Sequence, residues 1–73
     1  MSEQPNQLKK LNTIATDLEL PIELRIKAMQ LIGKMGTHEA LLSLLEMASN
    51  EKLTSEERDL ALQQSREIIK SGH

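Results

Sequence analysis

With 73 residues and a net charge of −2, the chain has length for one domain and too little charge imbalance to seek DNA or an anionic membrane. It contains no Cys, Phe, Tyr or Trp, which excludes disulfides and thiolate metal sites and leaves Leu, Ile, Met and Ala to fill a thin core. No apolar run approaches the roughly 20 residues of a membrane span, and the polar opening MSEQPNQ lacks a signal pattern, so a cytoplasmic location is expected.

Residues 1–6 read as a flexible polar lead-in, and 7–72 as a single helical domain. From Gln7 to Leu18, the residues Leu8, Leu11, Ile14, Ala15 and Leu18 recur at helical spacing and form one stripe, with Lys9, Lys10, Asn12, Thr13, Thr16 and Asp17 opposite. Pro21 suits a first helical position. A second helix from Pro21 to about Lys34 spreads Ile22, Leu24, Ile26, Ala28, Met29, Leu31 and Ile32 over more than half its circumference, which predicts packing on two sides. Gly33 to Gly36 with Thr37 reads as a turn, Gly36 as a left-handed cap and Thr37 as an N-cap. The third helix, Thr37 to about Ser49, should bury Ala40, Leu41, Leu44, Leu45, Met47 and Ala48. Thr54 with Glu57 forms a capping box. It opens a fourth helix from about Ser55 to Ser71 that should turn Ala61, Leu62, Ile68 and Ile69 inward and end at Gly72.

The stretch Leu20–Gln30, LPIELRIKAMQ, returns 33 residues later as Leu53–Gln63, LTSEERDLALQ. Leu20/Leu53, Glu23/Glu56, Arg25/Arg58, Ala28/Ala61 and Gln30/Gln63 become equivalent pairs. A period of this size is the mark of stacked helical repeats. By helical angle Arg25 falls among apolar residues, between Ile32 and Met29, and Arg58 falls between Ala61 and Ile69. A charge there needs a carboxylate or helix-end carbonyls; Asp17, Glu19 and Asp59 are the candidates. Arg25, Arg58, Ala28 and Ala61 are therefore expected at the interface between repeats. Leu42 and Leu60 fall on polar edges, and with Met47 nearby they are the candidate contacts for a partner.

Leu24-Arg25, Ala28 and Ile32-Gly33 resemble the V-R-x-x-A-x-x-x-L-G core of HEAT repeats, in particular the short HEAT-like repeats of phycobilisome lyases. The continuation KMGTHEALLSLL (34–45) is similar to that family's turn and second helix. Glu57-Arg58 and Ala61 repeat the start of the pattern, but Ser65 and Arg66 stand where Ile32 and Gly33 stood. The resemblance implies an all-α fold, a four-helix α-α superhelix fragment of roughly two hairpins. It also implies a non-catalytic adaptor or scaffold that binds another protein, or itself. An accessory, chaperone-like subunit of an enzyme such as a lyase is the alternative, and a nucleic-acid-binding repeat the second alternative.

Other chemistry finds little footing. His38-Glu39 opens an H-E-x-x-H zinc motif, but Leu42 occupies the second ligand position. The serines lack a nucleophile-elbow context, and Gly33, Gly36 and Gly72 read as helix punctuation. No enzyme activity, cofactor or metal is expected. A helix-turn-helix reader is disfavoured because THEALLSLLEMAS carries two Glu and no Lys or Arg.

Overall fold

A computed structural model describes the backbone of residues 4–71 and the side chains of 7–71. Four helices are present: α1 (Gln4–Thr16), α2 (Ile22–Met35), α3 (His38–Ala48) and α4 (Ser55–Lys70). The described residues contain no strand, so the fold is all-α.

Helix ends follow local chemistry. Residues 1–3, half of the expected lead-in, lie outside the described residues, while Gln4, Pro5 and Asn6 already belong to α1. Proline is tolerated in a first turn, which is why the helix can begin this early. At its other end α1 stops at Thr16, before the expected Leu18. There the Asp17 carboxylate accepts from the Glu19 N–H at 3.0 Å, and the Leu20 N–H donates to the Asp17 carbonyl at 3.0 Å. An Asx turn of this kind offers the backbone an alternative to helix, and it leaves Leu18 exposed.

Pro21 is the cap of α2 rather than its first residue, with φ −57° and ψ 145°, and its carbonyl accepts from the Leu24 and Arg25 N–H groups. Gly36 ends α2 at φ 65°. A Cβ in that conformation is strained, so Gly36→Ala should cost about 1 kcal/mol. That corresponds to a melting temperature lower by about 4–8 °C for a domain of this size, and circular dichroism on heating would register it. An unchanged melting point would contradict the left-handed turn. Thr37 caps α3 by accepting from the Ala40 N–H at 3.0 Å. At α4 the capping box is complete: Thr54 Oγ1 accepts from the Glu57 N–H at 3.2 Å, and Glu57 Oε1 accepts from the Thr54 N–H at 2.8 Å. Ser71 closes α4 through its own N–H to the Glu67 carbonyl. Gly72, the expected terminator, lies outside the described residues, as does His73.

The helices fill a slab of 30 × 27 × 17 Å. Packing is most extensive between α1 and α2 and between α3 and α4, and α2 then docks on α4. α2 is thus held on two sides, as its wide apolar arc predicts. Its contact with α3 is slighter, so the repeat read from the sequence, α2 with α3, is not the most tightly packed pair. The core comprises Ala15, Ala28, Met29, Ile32, Ala40, Leu44, Met47, Leu53, Ala61 and Ile68.

α4 is rotated from its apolar pattern. Ala61 and Ile68 point inward, but Leu62 and Ile69 are exposed, while Glu57 and Ser65 are buried in their place. Ser65 is satisfied by a hydrogen bond, while Glu57 hydrogen-bonds through Oε1 and meets a charge through Oε2. The Ser65 hydroxyl donates to the Ala61 carbonyl at 2.8 Å, and Glu57 serves the helix cap and Arg25. Burial of a bonded polar group costs little, so a reading by hydrophobicity alone misplaces this face. Leu45 on α3 and Leu24 and Leu31 on α2 are likewise exposed rather than packed.

Candidate interaction surface and the interface between the repeats

The 33-residue spacing carries over to the helix starts, α2 at Ile22 and α4 at Ser55, and α2 packs directly against α4. Ala28 and Ala61 are both buried at equivalent positions.

Arg25 is 9% exposed, and its Nη1 lies 2.8 Å from Oε2 of Glu57, a carboxylate with 0% exposure. None of the three acids expected from the sequence, Asp17, Glu19 or Asp59, forms an ion pair with it. Glu57 wins because the capping box already fixes its side chain at the start of α4, where α2 passes. One carboxylate therefore does two jobs: Oε1 closes the cap, and Oε2 faces the guanidinium. The Arg25–Glu57 approach does not meet hydrogen-bond angles, and Arg25 Nε has no hydrogen-bond partner among the described residues. The contact is an ionic one across the α2–α4 interface. Such pairs add little net stability, because desolvation offsets the Coulombic gain.

Arg58 behaves differently from its repeat equivalent. It is half-buried and has no ion-pair partner among the described residues, although its Nε is buried. The position equivalent to Glu57 in α2 is Leu24, which is exposed, so no second copy of the buried pair exists at that point.

Gly33 belongs to the last turns of α2 rather than to the turn that follows. A Cβ built there would collide with the Gln64 amide of α4 and lie 3.2 Å from the Gln64 Cβ. The absence of a side chain leaves the space that the Gln64 amide of α4 fills. Ile22, Ile26, Met29 and Gly33 recur at i, i+4, i+7 and i+11, and so share one flank of α2. The equivalent flank of α4 carries Ser55, Asp59, Leu62 and Arg66, all exposed. Three of those four positions have become polar, and the glycine has become arginine. The packing flank of the first repeat is a water-facing flank in the second.

The candidate partner contacts are only partly confirmed as surface. Leu42 is exposed. Met47 is a core residue at 2% exposure, because it lies on the same face of α3 as Leu44 and Ala40. Leu60 is half-buried and packs against the core. The exposed large apolar residues that the sequence did not single out are Leu18, Leu24, Leu31, Leu45, Leu62 and Ile69; with Leu42 they are 40–59% exposed. Leu24 and Leu31 are seven apart on α2, and Leu62 and Ile69 seven apart on α4, which puts each pair on one face. Beside Leu31, a shallow depression is lined by Lys27, Gln30, Lys34 and Gln64.

His38 is exposed at the start of α3. Among the described residues no group of three or more His, Cys, Asp or Glu is placed to hold a metal ion, and no helix is long and apolar enough to cross a membrane.

Together these features define a small all-helical unit with an ionic link between two helices and several apolar side chains facing outward. No protein-family model, curated protein or solved structure matches the chain.

Proposed function

We propose that the chain is a non-catalytic HEAT-like helical repeat module that acts as an adaptor or scaffold for another protein. The observation that carries this is the set of large apolar side chains held outward on well-packed helices. Single exposed leucines are ordinary, but here they come in helical register on three of the four helices. Rigid helices presenting such rows suit capture of a partner's helix or loop, because little side-chain order must be lost on binding. The 33-residue period, the buried alanines at equivalent positions and the arginine lodged between α2 and α4 support the repeat reading.

The test is retention of a partner from native lysate by immobilised wild type, by Leu42→Asp and by Leu62→Asp/Ile69→Asp. The wild type should retain one protein in a defined ratio. At least one variant should shed it by tenfold or more with helix content unchanged. Retention of nothing above a charge-matched control, or equal retention by all three, ends the adaptor reading.

A further inference from the structure

We infer that the outer faces of α2 and α3 are complementary, and that a second copy of this chain docks its α3 antiparallel on α2. The outer arc of α2 presents Leu24, Lys27, Leu31 and Lys34, all exposed. That of α3 presents Glu39, Leu42, Leu45 and Glu46, also exposed. The lysines are seven residues apart and so are the glutamates, a rise of about 10–11 Å on each helix. Among the described residues none of these four charges has an ion-pair partner within the chain. The two faces therefore carry opposite unpartnered charges at the same spacing, with a leucine between them.

The register is decided by the leucines. Antiparallel alignment brings Lys34 opposite Glu39, Leu31 opposite Leu42 and Lys27 opposite Glu46, all in one register. A parallel alignment that pairs the same charges would set Leu31 against Ser43. Helix dipoles favour the antiparallel arrangement too. Glu39 lies in the first turn of α3 and Lys34 in the last turn of α2, so this alignment sets the negative C-terminal end of α2 beside the positive N-terminal end of α3.

The two patches are different surfaces of the same molecule, so docking through one pair of faces is heterologous and leaves each added copy with one free face. One helix face per copy is a small interface, under about 1,200 Å² in total, which belongs with weak and transient contacts. The inference concerns the purified chain alone and does not depend on the adaptor reading.

The experiment is sedimentation equilibrium from about 10 μM to about 1 mM, the range where weak contacts populate. It compares wild type, Lys27→Glu/Lys34→Glu, Glu39→Lys/Glu46→Lys and an equimolar mixture of the two variants. All four substituted side chains are exposed, and circular dichroism would confirm that each variant keeps its helices. Wild type should rise above its monomer mass of 8.2 kDa as concentration increases. Each variant alone, with two like-charged faces, should stay monomeric. The mixture should associate again, because the acidic α2 of one variant meets the basic α3 of the other. A wild type that stays monomeric throughout overturns the proposal. So do variants that associate as wild type does, which would place the contact on another face, and a mixture that stays monomeric.

Discussion

Glu57→Ala should lower the unfolding free energy by about 3–5 kcal/mol, the usual consequence of leaving a buried charge without its partner. The substitution strands Arg25, which is 9% exposed and has its Nη1 at 2.8 Å from the lost carboxylate. It also opens the capping box at Thr54, worth about 1 kcal/mol. Domains of this size hold only about 5–10 kcal/mol in all, so a large part of the population should be unfolded at modest urea. Arg25→Met/Glu57→Gln removes both charges while leaving a side chain that can still close the cap. That double variant should return to within about 1–2 kcal/mol of wild type, since buried pairs contribute little net stability. Urea unfolding followed by far-ultraviolet circular dichroism measures both. A cost below about 1 kcal/mol for Glu57→Ala would show that solvent reaches the pair.

The second large effect contrasts two positions that the repeat makes equivalent. Met29 is fully buried on the flank of α2 that includes Gly33, whereas Leu62 on α4 is exposed. Met29→Ala should cost about 2–5 kcal/mol through lost transfer energy and the cavity left behind. Leu62→Ala, a comparable truncation 33 residues later, should stay within about 0.5 kcal/mol. The same unfolding curves decide it. Equal costs would mean that α4 buries the flank carrying Leu62, and that its outward position is wrong.

Those two pairs of residues also show where reading along the chain succeeds. Helix existence, the left-handed glycine at Gly36, the Thr37 cap and the Thr54–Glu57 box are all legible, because each depends on residues within about four positions of one another. The burial of Arg25 was legible from its angle among Ile32 and Met29. Its partner was not. Glu57 reads along the chain only as a capping residue, and the passage of α2 across the start of α4 is what gives its second oxygen a cation.

The apolar faces were misread for a related reason. Leu62 and Ile69 look like core residues, and Glu57 and Ser65 do not, when each is judged by its own hydrophobicity. Once Ser65 bonds to the Ala61 carbonyl, and Glu57 bonds to its cap with its second oxygen against the Arg25 charge, their burial is tolerated, and α4 turns to present its leucine and isoleucine to solvent. Along the chain Gly33 reads as a turn residue. It sits inside α2, and its neighbour there, Gln64 of α4, stands 31 residues later in the chain.

By itself, the sequence determined that this protein is a set of short capped helices with a 33-residue repeat, since caps, turns and periodicity are local properties of the chain. Only the tertiary structure decided which carboxylate holds Arg25, which leucines face water and which pairs of helices pack most closely. Those outcomes depend on the distances and rotations between helices, and these are set by how side chains far apart in the chain fit together.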